Sequence, residues 1–181
     1  MKILSNEYDQ YKTNRIKMTT ISLILIATTI ASALIAGLFY GYSCSVNPGL
    51  ARLSDEGYLL AMQSINRAIL NPLFFISFIG TLLLLPLSTF LTYTQPVSNR
   101  FLLLLAATLV YAVCVFGITM FCNVPLNDML DKSNLKSASA EELTALRTKF
   151  ENTWNKWHNI RTIASIVTFI LILFSLKGTD T

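Results

Sequence analysis

The run Thr19–Tyr42, TTISLILIATTIASALIAGLFYGY, holds 24 residues and no charged side chain. As a helix rising about 1.5 Å per residue, it crosses a hydrocarbon core of roughly 30 Å with some tilt. Ala31-Ser32-Ala33 has the small-x-small form of a signal-peptide cleavage site, but the apolar run continues to Tyr42 where a mature N-terminus turns polar. The reading is therefore an uncleaved first span. Ala33, Gly37 and Gly41 repeat a small residue every fourth position, which predicts a close helix contact.

Working outward, the whole 181-residue chain fits this reading. It is 53% hydrophobic and 13% charged, against roughly 25% charged in a soluble domain. A net charge of +4 is a topology signal and an attraction to anionic lipid, not a nucleic-acid footprint. Residues 1–18 form a polar tail. Asn47-Pro48-Gly49 reads as a turn, and Ser54-Asp55-Glu56 as a helix start. The helix that follows, to Leu70, is too short to span and is expected at the interface. Asn71-Pro72 caps a second span over about 73–93, in which Pro86 is expected to kink the helix or free a carbonyl. A short loop leads to a third span over about 101–122, which is expected to stop at Asn123-Val124-Pro125-Leu126-Asn127.

Ser139-Ala140-Glu141-Glu142 is a capping box, and Glu141 to Leu176 contains neither Pro nor Gly. One long helix is predicted, amphipathic and outside the membrane at first. The uncharged stretch Ile163 to Leu176 is too short to cross alone, so the fourth span is expected to begin near 158 and run to 176, before a tail of 177–181. The expected fold is all-α: a polytopic four-helix transmembrane bundle, one membrane domain over 19–176, with an interfacial helix between spans one and two. Lys and Arg before the first span, with Arg100 and Lys177, put both termini on the cytoplasmic side of the cell membrane.

The chemistry concentrates in Phe150 to Arg161, which holds both tryptophans and the single histidine. At about 100° per residue, Trp154, Trp157, His158 and Arg161 fall on one helical face. Histidine is the usual general base, an arginine one turn on can hold an oxyanion, and two indoles can wall a flat ligand. Interfacial Trp and Arg also serve as plain membrane anchors. Two asparagine-rich corners, Asn66-Arg67 with Asn71, and Asn123 with Asn127, are predicted on the same side and would supply hydrogen bonds. The three cysteines have no metal-ligand spacing; Cys44 and Cys122 could pair only if their helices bring them together. No span carries a carboxylate pair or an acidic residue, which argues against a pump or proton channel.

In this order, the Gly37–Pro48 helix end, Met62-x-x-x-Asn66-Arg67 with Asn71-Pro72, Asn123-Val124-Pro125-Leu126-Asn127 and Trp154-x-x-Trp157-His158-x-x-Arg161 resemble the anthrone oxygenase-like family of small four-helix membrane proteins. The resemblance implies a four-helix bundle. In a few members it implies cofactor-independent oxidation of an anthrone to an anthraquinone. Carried to this chain, it makes His158 the base and Arg161 the oxyanion partner. Trp154, Trp157, Asn66, Arg67, Asn71, Asn123 and Asn127 become the binding groups, with a flat aromatic molecule as ligand and neither metal nor cofactor. The alternative is a non-enzymatic membrane protein that binds lipid or a partner through the same face.

Overall fold

The computed structural model describes residues 2–177, with side chains for residues 10–13 and 15–177. The helices are α1 (Lys2–Gly41), α2 (Asp55–Ala68), α3 (Pro72–Leu91), α4 (Asn99–Val110), α5 (Val124–Asp131) and α6 (Ala140–Lys177). Among the described residues four helices are long and apolar enough to cross a membrane: Gln10–Leu50, Pro72–Leu91, Asn99–Asp131 and Ala140–Lys177. The chain is an all-α, multi-pass membrane protein. Its outward faces carry side chains that water would not favour, among them Leu73 (81% exposed), Phe90 (77%) and Phe121 (82%). In a bilayer they meet lipid.

The spans close into a ring. α1 packs on α3 and α6, and α4 packs on the same two. Lys17, Leu91, Arg100 and Leu176 meet at one end of the bundle, so successive spans alternate in direction. Inside, Leu25, Ile35, Phe78, Leu85, Leu104 and Ile172 form an apolar core. Hydroxyls tie neighbours together, Thr28 to Ser88 at 2.9 Å and Thr89 to Thr108 at 2.9 Å. Such bonds contribute roughly 0.6 kcal/mol each within a membrane. Pro86 lies inside α3, which runs on to Leu91.

Two prolines expected to end helices do not. The first span continues through a π-helical turn, Tyr42–Val46, into a last helical turn, Asn47–Leu50. The third continues through π-helical Tyr111–Gly117 and Thr119–Asn123 into α5. In each case the amide just before the proline reaches back five residues, Asn47 N–H to the Tyr42 carbonyl and Val124 N–H to the Thr119 carbonyl. A proline ring clashes with the carbonyl four residues earlier. Widening that turn relieves the clash and lets the helix go on. The third span is accordingly longer than 101–122, and Asn123–Asn127 is a stretch of helix, not a corner. Asn47-Pro48-Gly49 is helical as well. The residues read as a polar tail belong to α1, which starts at Lys2. The Ala33–Gly37–Gly41 stripe makes no close contact, since a Cβ added at Gly37 or Gly41 meets nothing within 4 Å. Cys44, Cys114 and Cys122 are free thiols.

At the other end of the bundle α2, α5 and the first half of α6 build a cap around Tyr58, Leu59, Met62, Leu130 and Phe150. Ser54 caps α2 through the Gly57 amide, and Ser139 and Glu142 form the reciprocal capping box of α6. Arg147 clamps the cap to the end of the first span. It donates to the Ala51 and Leu53 carbonyls at 3.0 and 2.8 Å and pairs with Asp55 and Glu151. Removing it unties the cap from the end of the first span, so Arg147→Ala is expected to lower the melting temperature, at a cost of about 1 kcal/mol. The Thr144 hydroxyl and then Arg147 hold the Asp55 carboxyl below its usual range. A depressed acid stabilises above its unfolded value and loses that contribution as pH falls through its folded one. Asp55→Asn should therefore melt earlier than wild type at neutral pH, with the gap closing in acid.

Candidate functional site

The inward face of α6 is built by residues three or four apart: Phe150, Trp154, His158, Arg161, Thr162 and Ser165 are all buried. Where this face passes from the bundle core to the cap, a cavity of about 100 Å³ opens. Trp154, His158 and Arg161 line it from α6. Leu38, Phe39 and Tyr42 line it from the first span, and Ile65, Asn66, Ile69 and Leu70 from α2 and its end. Phe74, Thr119, Val124 and Asn127 complete it. Both π-helical turns that precede a proline contribute, through Tyr42 and Thr119.

Trp154 is a fixed wall. Its indole N–H donates to Asn127 Oδ1 at 2.8 Å, and its backbone carbonyl accepts from Asn123 Nδ2 at 3.3 Å. The His158 ring stacks on it, centroids 4.9 Å apart and planes 15° from parallel. His158 is fully buried, and Tyr42 and Phe39 meet its ring edge-on. Its Nε2 lies 2.9 Å from Ser43 Oγ, and its Nδ1 lies 3.3–3.4 Å from the Arg161 guanidinium. A guanidinium only donates. Nδ1 is therefore the acceptor, and the proton of the neutral ring sits on Nε2, donated to Ser43.

Arg161 is 8% exposed. Its guanidinium carbon stands 4.5 Å from the centre of the Phe39 ring and 5.2 Å from that of Trp154. Nη1 donates to Thr119 Oγ1 at 3.3 Å, and Nε and Nη2 to His158. Three of its five N–H groups are thus used. Among the described residues no carboxylate lies within ion-pairing distance. A charge this deep is costly unless paired, so the arrangement retains a strong affinity for an anion. Asn66 adds a second vacancy: its Nδ2 is buried without a partner.

Of the residues singled out in the sequence, Trp154, His158, Arg161, Asn66 and Asn127 share the cavity. The others do not line it. Arg67 is one step of about 100° beyond Asn66, points outward and pairs with Asp131 on the surface. Asn71 caps α3, with Oδ1 accepting from the Phe74 amide. Asn123 braces the α6 backbone, and its Oδ1 has no partner. Trp157 lies about 60° off the Trp154 direction, with the Lys156 ammonium 5.4 Å from its ring centre. Tyr42, Ser43 and Thr119 escape a periodicity search because they lie in the π-helical turns, and Phe39, in the regular helix just before one, carries no signal beyond its apolar character. The only sequence sign of those turns is a proline five or six residues downstream, Pro48 after Tyr42 and Ser43, and Pro125 after Thr119.

Comparison with known proteins agrees with the resemblance in the sequence. A family model described as anthrone oxygenase matches residues 73–171, more than half of the chain. The matched part runs from α3 into the last turns of α6 and carries Thr119, Asn127, Trp154, His158 and Arg161. No curated protein and no solved structure matches the chain.

Proposed function

The chain belongs to the anthrone oxygenase family, and from that premise we propose that it oxygenates a flat, acidic phenolic substrate of the anthrone type without a cofactor. The observation that carries this reading is the buried guanidinium of Arg161, held between two aromatic rings in a cavity where, among the described residues, no carboxylate neutralises it. An anthrone becomes reactive when its methylene loses a proton, because the charge then moves onto the carbonyl oxygen. Arg161 is the group that binds that oxygen. His158 Nδ1 takes the proton, in the tautomer set by the donating guanidinium of Arg161, with the other ring proton on Nε2 facing Ser43. The contacts between Arg161 and Nδ1, at 3.3–3.4 Å, are longer than a good hydrogen bond of about 2.7–3.2 Å. As the enolate forms, the guanidinium shifts from Nδ1 to the oxygen and Nδ1 receives the proton. Asn66 donates to a second substrate oxygen, and Trp154 is the wall for the rings.

The anion then reduces O₂ itself. One electron passes to O₂ and the two radicals join in a C–O bond. The peroxide takes up a proton, and loss of the remaining C–H proton with departure of hydroxide leaves a second carbonyl. The balance is one O₂ consumed, one oxygen atom kept and one water released per anthrone. The cavity of about 100 Å³ is small beside pockets of roughly 300–1,000 Å³ that hold drug-sized ligands. A three-ring substrate therefore displaces Ile69 and Leu70 on binding.

We orient both termini toward the cytoplasm of the cell membrane, with the cavity near the opposite face. The outward pair Lys156 and Trp157 fits an interfacial anchor, which assigns that tryptophan to the bilayer and leaves Arg161 to the ligand. Oxygen uptake by the purified protein in vesicles, over a panel of anthrones and hydroquinones, tests the proposal. Uptake matched by an equal amount of quinone, and lost in His158→Ala, is expected. Wild-type uptake no faster than the uncatalysed rate across the panel contradicts it.

A further inference from the structure

The polar lining of the cavity is its buried part: His158, Arg161 and Thr119 are buried and Asn127 is half-buried. Of all the residues that line it, two are exposed, and both are leucines: Leu38 at 39% and Leu70 at 65%. The polar members are buried or half-buried. Leu38 lies in the apolar first span, and Leu70 lies two residues before Pro72, where α3 begins. Their neighbours on the same surface are exposed and apolar too, Leu34 at 58% and Leu73 at 81%. Such a surface faces hydrocarbon in a bilayer.

We infer that the ligand reaches Arg161 sideways from the bilayer, through a mouth between Leu38 and Leu70. The site consequently selects membrane-dissolved molecules that enter with the oxygen that will carry the negative charge foremost. This rests on the proposed binding of an anionic oxygen by Arg161 and adds a substrate class to it: lipophilic weak acids that partition into the membrane, taken up neutral and ionised only inside. A permanently charged analogue is excluded at the mouth, because crossing hydrocarbon as an ion costs far more than crossing as a neutral phenol. Neutral entry also leaves the proton to be removed where His158 stands.

The test needs no turnover, so it fails or succeeds independently of the oxygenase reading. In a Trp157→Phe protein in phosphatidylcholine vesicles, Trp154 reports on the cavity, and adding Leu70→Trp places a second reporter at the mouth. The difference emission of the two proteins is expected to be quenched by lipid brominated on its acyl chains and not by iodide in the water. In the Trp157→Phe parent, naphthol should quench Trp154 saturably, and its ring-sulfonated analogue at least about tenfold more slowly, as expected when access limits association. Iodide quenching at the mouth without quenching by brominated lipid overturns the inference. So does equal access of the sulfonated compound, and so does the absence of saturable quenching by naphthol.

Discussion

Arg161→Met is expected to reduce turnover by at least about 10²–10³-fold, the usual loss when an oxyanion donor is removed, while the melting temperature stays level or rises. The two effects part because the charge is kept for the ligand. Arg161 is 8% exposed, without a carboxylate, and held by long hydrogen bonds and two ring faces. A buried charge without a counter-ion carries a desolvation cost of several kcal/mol, and removing that cost offsets the lost hydrogen bonds to Nδ1 and Thr119. Met also keeps the packing against Phe39 and Trp154. Lysine should not restore activity, since it lacks the planar fork that can meet Nδ1, Thr119 and an oxyanion together. Thermal melts beside oxygen uptake check this. A melting temperature that falls while activity survives would make Arg161 a structural residue.

Loss of the base is the second large effect. His158→Ala and His158→Gln are both expected to lower kcat by about 10²–10⁴-fold and to leave the protein in the membrane. The pair separates chemistry from packing. Alanine removes a fully buried ring stacked on Trp154 and leaves Ser43 Oγ only its longer contact to Thr162 at 3.4 Å, so it also costs stability, about 3 kcal/mol for the deleted buried ring. Glutamine retains a polar partner for Ser43 without a basic nitrogen. Equal losses of kcat in a destabilised and a near-native variant identify the ring as the base, whereas turnover retained in His158→Gln would remove it from the mechanism. Ser43→Ala should lower kcat more modestly with KM unchanged, because it removes a partner that orients the His158 ring at Nε2 without touching the substrate.

Much of the fold is legible from hydropathy alone. Four uncharged runs and the absence of Pro and Gly between Glu141 and Leu176 define the spans, because a bilayer admits few other solutions. The helix ends were less legible. Pro48 and Pro125 read as stops, and a single widened turn before each overrides that rule at a local cost that tertiary packing absorbs. The site divides along the same line. Trp154, His158 and Arg161 follow from helical spacing within α6, since an unbroken helix keeps its phase. Asn66 and Arg67 could not be separated without knowing which side of α2 faces the cavity, since Arg67 too meets α5, through Asp131 at the surface. Ser43, Tyr42 and Thr119 depend on the π-helical turns, whose shift in phase no apolar period records. The two devices meet in one place, as the turns that carry the chain past its prolines also point these residues at His158 and Arg161.

The most direct test of Arg161 as an oxyanion site is spectroscopic. Wild-type protein in vesicles is mixed with an anthrone in the absence of oxygen at neutral pH, and the absorbance of the bound molecule is compared with that of Arg161→Met. The expected result is the spectrum of the anthrone anion on the wild type, discharged to the quinone when O₂ is admitted, and the neutral spectrum on the variant. A bound anthrone that stays neutral on the wild-type protein would contradict the role given to Arg161.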